Sequence, residues 1–147
     1  MATPTPIRPE ETRALRRAVL RPHQPPEAMV YPGDDAPDTL HVGLDAAGEQ
    51  QGVASLYREA PPGEDDPTAW RLRGMAVRPD AQGKGVGRAL LGACVAHARA
   101  RGGRRVWCNA RASAAGFYAR LGFQTVGAPF DLPGLGPHVV MALDLAL

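Results

Sequence analysis

The heptapeptide Gln82-Gly83-Lys84-Gly85-Val86-Gly87-Arg88 lies between an extended segment and a run of helical spacing. On its N-terminal side, Trp70, Leu72, Gly74 and Ala76 alternate with Arg71, Arg73, Met75 and Val77, the period of a strand ending near Val77. On its C-terminal side, Gly87, Leu90, Leu91, Cys94 and Ala98 fall on one apolar stripe, and Gly102-Gly103 supply a helix stop. A glycine-rich turn from strand to helix is an anion site, because free backbone N–H groups point outward there and the helix dipole adds partial positive charge. Phosphate is the natural guest. Alternate glycines also occur in ordinary tight turns, so the context decides.

That context excludes two common phosphate loops. A P-loop needs four residues between its glycines and Ser or Thr after the lysine, whereas Gly85 follows Lys84. A dinucleotide fingerprint needs an acidic residue about 20 positions on to hold the ribose. Beyond the turn no Asp or Glu appears before Asp131.

Working outward, Pro6-Ile7-Arg8-Pro9 predicts a short extended entry, and Glu10 to Leu20 a helix with Leu15, Ala18 and Val19 inward. Recurrent prolines from Arg21 to Asp38 predict an ordered loop or lid. Thr39 to Leu44 and Gly52 to Tyr57 read as antiparallel strands joined by a turn at Asp45 to Glu49. Pro61 to Pro67 is a polar loop. Beyond the central helix come a strand at Arg105 to Asn109 and a helix at Ala112 to Leu121. Two last strands, Phe123 to Val126 and Val139 to Leu145, are joined by Gly127 to Pro137, a stretch too rich in breakers to be helical.

A length of 147 residues fits one compact domain, 1–147, of mixed α/β class. No apolar run approaches bilayer length and no basic-then-apolar leader opens the chain, so a cytoplasmic protein is expected. Cys94 and Cys108 match neither a disulfide framework nor a zinc spacing, and no metal is expected. Net charge is only +2, but Ala81 to Phe130 has eight basic residues and no acid, while the remainder sums to −6. The basic stretch suits an anionic ligand. The acidic loops around Asp34, Asp35, Asp38, Glu64, Asp65 and Asp66 suggest a cationic one. Few aromatics accompany the arginines, so no nucleic-acid partner is expected.

The turn at Gln82 to Arg88, preceded by Met75-Ala76-Val77 and Arg78-Pro79, resembles the Gln/Arg-x-x-Gly-x-Gly/Ala pyrophosphate loop of the GNAT acetyltransferase superfamily. Downstream, Trp107 to Arg111 followed by Phe117-Tyr118-Ala119-Arg120-Leu121-Gly122-Phe123 is similar to that superfamily's second block. The resemblance implies an acyl-coenzyme A N-acyltransferase fold, a mixed central sheet splayed at the cofactor strand with flanking helices. It implies acetyl-coenzyme A as co-substrate and a small-molecule or peptide amine as acceptor, and it leaves a homodimer open.

Position by position, the resemblance puts the pyrophosphate on the N–H groups of Gly83, Lys84, Gly85, Val86, Gly87 and Arg88, counts Gln82 with them in the cofactor-binding turn, and lays the pantetheine arm along Met75, Ala76 and Val77. The Met75 N–H becomes the oxyanion donor, and Asn109 and Arg111 reach the pantetheine or a phosphate. Tyr118 becomes the general acid that protonates the leaving thiolate and so also lines the cofactor site; the alternative is a core-edge tyrosine on the stripe of Ala114 and Leu121. Many members carry a base glutamate four residues before the oxyanion donor, and here that position is Arg71. His41, His138 and Glu59 are then the candidate bases. The rival reading is a coenzyme A-binding regulator without catalysis.

Overall fold

The computed structural model describes residues 2–145. Its strands are β1 (Thr5–Pro6), β2 (Leu40–Ala46), β3 (Glu49–Tyr57), β4 (Ala69–Val77), β5 (Arg105–Arg111), β6 (Gln124–Leu132) and β7 (Gly136–Asp144). Its helices are α1 (Arg13–Leu15), α2 (Val86–Ala100) and α3 (Ala115–Arg120). The strands form one mixed sheet in the order β1-β2-β3-β4-β5-β7-β6. The pairing of β4 with β5 is parallel and covers Ala69 to Arg71 against Arg105 to Trp107. The residues group into two compact units, Met1–Tyr57 with Leu72–His97, and Arg58–Arg71 with Ala98–Leu147.

In the first unit, β2 and β3 form the expected hairpin, with a register shift at Leu44/Asp45 that lets the turn close at Ala47-Gly48. Leu15, Val53 and Ala76 pack together with Ile7, Val19 and Leu20 around them. Gly52 fixes where α2 begins, because a Cβ there would stand 2.8 Å from Val86 Cγ1 and 2.9 Å from Leu90 Cδ1. Only a bare backbone lets the first turn of α2 lie this close to β3. The expected helix at Glu10 to Leu20 is less regular than its pattern suggests: a 3₁₀ turn (Pro9–Thr12), one α turn, then a π turn (Arg16–Leu20). A 3₁₀ turn, Pro26–Met29, also punctuates the proline-rich loop.

In the second unit, β7 lies between β5 and β6 and pairs antiparallel with both. Trp70, Val106, Trp107, Cys108, Tyr118, Phe123 and Met141 are buried there. The stretch Gly127 to Pro137, expected as a linker, is mostly strand: β6 runs on to Leu132 and β7 starts at Gly136. The ladder tolerates this because the register shifts between Val126 and Phe130, which puts Pro129 in an irregularity of an edge strand, where a missing N–H breaks no ladder bond.

Candidate active site

The first unit carries the glycine turn. Gly83 and Gly85 have φ of +76° and +85°, the left-handed region that a side chain disfavours, and both face open space. The first intrahelical bond of α2 runs from Ala89 N–H to Gly85 O at 3.0 Å, so the N–H groups of Val86, Gly87 and Arg88 have no acceptor within the helix. No acidic residue stands in the first turn of α2, and Lys84 and Arg88 are exposed beside it. Gln82 is turned back by its own side chain, whose Nε2 donates to Val77 O at 3.1 Å and ties the turn to the end of β4. Arg78 anchors the same corner through its N–H to Gln51 O and through ion pairs with Glu49 and Asp80 at 2.7 and 3.1 Å. Outward-facing amides, positive-φ glycines and flanking cations fit a diphosphate. The turn therefore meets the chemical demand of coenzyme A.

Met75 and Val77 are half-buried on β4, with Ala76 between them turned into the core. Immediately before Met75, Gly74 has φ +69°, and a Cβ there would approach Arg16 Nε to 3.1 Å. Arg16 is the residue the sequence reading missed. It is fully buried and clamps Asp34 bidentately, Nη1 to Oδ2 at 2.7 Å and Nη2 to Oδ1 at 3.0 Å. It also donates to Met29 O, Ser55 Oγ and Tyr57 Oη, while Tyr57 Oη and the Tyr31 N–H donate to Asp34. Burial alone would raise the Asp34 pKa, but the hydrogen bonds from Arg16, Tyr57 and the Tyr31 backbone outweigh it and hold the carboxyl below its ordinary value. Burial also pushes the Tyr57 phenol up.

His41 belongs to this network. Its Nε2 lies 2.9 Å from Asp34 O, a carbonyl that can only accept, so Nε2 carries the proton and Nδ1 accepts from Ser55 Oγ at 2.6 Å. Both ring nitrogens are therefore engaged. Tyr31, itself buried, stacks against three guanidinium groups: Arg16 at 4.1 Å, Arg73 at 4.2 Å and Arg21 at 5.0 Å from the ring centre.

In the second unit, Arg111 stands opposite His138 across the β5–β7 ladder, and Asn109 opposite Val140. Asn109 and Arg111 are half-buried, and His138 is buried at the start of β7. His138 Nδ1 lies 2.9 Å from Gly136 O, which makes Nδ1 the donor and leaves the lone pair of the neutral ring on Nε2. The two histidines thus differ in what their free electron pairs can do. Tyr118 lies on α3, buried against Phe117 and Phe123 with ring centres 5.1 and 5.3 Å away. Arg71, at the position where the resemblance implies a base glutamate, pairs with Glu59 at 3.1 Å and lies over Trp107 at 5.1 Å.

Cys94 and Cys108 are both buried, and burial pushes each thiol up to about 12. Neither is a nucleophile near neutral pH. Among the described residues, no helix is long and apolar enough to cross a membrane.

The family model for the acetyltransferase (GNAT) family matches residues 8–123. The chain is 37% identical over 132 residues to the uncharacterized N-acetyltransferase YitI of Bacillus subtilis (strain 168), covering 90% of this chain and 89% of that protein. Its fold matches that of Escherichia coli ElaA with a TM-score of 0.79 at 21% identity, over 97% of this chain and 99% of the other. It also matches an aminoglycoside 6'-N-acetyltransferase solved with coenzyme A, with a TM-score of 0.78 at 14% identity, over 98% and 97% of the two chains. These likenesses agree with what the free amides at the head of α2 require, and the chain accordingly belongs to the acetyltransferase (GNAT) family and is an acyl-coenzyme A-dependent N-acetyltransferase.

Proposed function

We propose that this enzyme transfers an acetyl group from acetyl-coenzyme A directly to a primary amine of a small molecule or peptide. The observation that carries the proposal is the set of unpaired N–H groups on Val86, Gly87 and Arg88, reached through two left-handed glycines and flanked by cations. When bound, the co-substrate supplies a thioester whose C–S bond breaks as the new C–N bond forms.

The chain's own groups then have distinct tasks. The amides of Gly83 to Arg88 hold the diphosphate, the Gln82 N–H being donated to Pro79 O, and the backbone of Met75, Ala76 and Val77 aligns the pantetheine arm. The N–H of Met75 donates to the carbonyl oxygen, where negative charge grows as the amine attacks. Asn109 and Arg111 steady the cofactor from β5. His138, with its lone pair on Nε2, accepts the proton the amine loses, a role His41 cannot take without giving up its bond from Ser55. Tyr118 gives its proton to the departing thiolate. Direct transfer, without an acetylated cysteine, is favoured by the two buried, high-pKa thiols.

We also read residues 1–147 as one catalytic domain, since β4 and α2 each run unbroken from one unit into the other and the family match covers both.

Thiol release from acetyl-coenzyme A in the presence of amines, with mass-spectrometric detection of the acetylated product, tests the reading. Tyr118→Phe is expected to lower turnover by about 100-fold, the usual scale of a lost general acid, while coenzyme A affinity changes little. Unchanged turnover would remove Tyr118 from the mechanism. Coenzyme A binding without thiol release for any amine would favour a non-catalytic sensor.

A further inference from the structure

The first unit carries a cavity that no step of the proposed transfer uses. It lies between the outward face of α1 with its π turn and the proline-rich loop, and its volume of about 460 Å³ is within the range that holds a small molecule. None of its lining residues belongs to β4 or to the glycine turn. Leu15 and Val19 of the same turns pack with Val53 and Ala76, so the cavity is built from what the core leaves outside.

Small residues make the space. Ala14 and Ala18 stand about one helical turn apart and are exposed, while Pro22 and Pro26 close the other side with rigid rings. Met29 is buried beneath them, its carbonyl held by Arg16 Nη1 at 2.9 Å. The side chains of these walls offer contact to an apolar body and no hydrogen bond.

The charged lining residues are Arg13 and Arg17, again about one turn apart. Arg13 is half-buried, makes no hydrogen bond or ion pair among the described residues, and has its Nε shut off from water. Arg17 is fixed through its Nε, which donates to Gln24 O at 2.9 Å, and its terminal nitrogens have no partner among the described residues. The acids nearest in sequence do not neutralise the pair: Glu10 and Glu11 go to Arg8 at 3.7 and 3.4 Å, and Glu27 reaches neither arginine. Like charges one turn apart repel. An anion between them relieves the repulsion, and it gains more from a half-sheltered guanidinium than from one in open water, where solvent screens the attraction. A guanidinium held through Nε still presents its Nη edge to a carboxylate.

We infer that this cavity is a binding site for a small amphipathic anion, an aryl or acyl carboxylate whose apolar body lies on Ala14, Ala18 and the prolines and whose carboxylate is taken by Arg13 and Arg17. The apolar walls alone would take any hydrocarbon, and the two cations alone any anion. Their juxtaposition selects a molecule that has both parts. The site shares no residue with the glycine turn, so its occupant is a separate ligand and not the acyl donor.

Equilibrium dialysis tests the inference, with coenzyme A at saturation to keep the probes out of the cofactor site. 2-Naphthoate is compared with 2-naphthamide, and octanoate with octanol, so that one pair reports on an aryl body and the other on an acyl chain. At least one acid is expected to bind one-to-one and about tenfold or more tightly than its neutral partner, the usual scale of a charge-assisted contact. Arg13→Gln combined with Arg17→Gln is expected to erase most of that preference. Ala18→Phe, which fills the cavity from an exposed position, is expected to remove the binding itself. Melting curves of each variant separate a folding failure from a lost site, and Ala14→Met takes the place of Ala18→Phe should the latter melt early. Acids bound no better than their neutral partners, no binding of any probe, or binding unchanged in a filled variant that melts like the unaltered protein would each overturn the inference. A chain that fails to bind coenzyme A yet binds the acids in this way would sink the transferase reading and leave this one standing.

Discussion

Arg16 illustrates how a charged residue can be internal by design of its partners. A guanidinium with no solvent exposure is tolerated because Asp34, Ser55, Tyr57 and the Met29 carbonyl together accept or share its protons. Removing one partner leaves the other charge stranded. Asp34→Asn is expected to cost about 3–5 kcal/mol of stability, measured by denaturant unfolding. The pH dependence follows from the direction of the Asp34 shift. Its folded pKa lies below the unfolded value, so its contribution is present above the ordinary carboxylate range and is lost as pH falls through the folded pKa. Thermal melts from neutral pH down into the acid range should therefore fall less steeply for Asp34→Asn than for the unaltered chain; equal slopes would mean that this carboxylate does not govern acid stability. Nothing local in the sequence announced this pair. Arg16 adjoins the inward Leu15, where a charge reads as surface, and Asp34 lies 18 residues away in a loop of similar acids. The contrast between His41 and His138 was equally invisible, because it depends on which neighbour each imidazole meets and not on its place in a pattern.

At the scale of elements, local chemistry carried further. The glycine turn, the stripe of α2 and the hairpin of β2 and β3 are each specified by contiguous residues, and each stands where its pattern put it. The extended hairpin of β6 and β7 was hidden because Gly127, Pro129, Pro133 and Gly134 read as breakers, yet an edge strand with a register shift accommodates them. The irregular turns around α1 were hidden for a related reason, since apolar spacing alone does not distinguish α, 3₁₀ and π turns over so short a run. Gly52 is the position where one element controls another. Gly52→Val would drive its Cβ into Val86 and Leu90 and displace the head of α2. The expected result is a loss of about 1–3 kcal/mol in stability from overpacking, with a clear loss of coenzyme A affinity that a distant core substitution of equal cost does not share. Calorimetric titration of the two variants side by side decides this. Equal affinities would detach the head of α2 from cofactor binding.

Over the whole molecule, the charge pattern has been partly cancelled and partly kept. Arg105, one of the eight bases between Ala81 and Phe130, is consumed by Glu64 and Asp66, while Lys84 and Arg88 remain exposed at the turn. Lys84 and Arg88 are thus the part of the basic stretch that stands at the glycine turn. Family, fold class and use of an acyl-coenzyme A were all legible from two short blocks of residues. The acceptor was not, because neither block contains a residue whose type or spacing specifies an amine. The central claim is that backbone amides at the head of α2 grip a diphosphate. Its most direct test is calorimetric titration of the protein with coenzyme A and, separately, with pantetheine, which lacks the diphosphate: saturable one-to-one binding of coenzyme A with pantetheine far weaker is the predicted result, whereas no heat with coenzyme A, or equal affinity for the two, would contradict it.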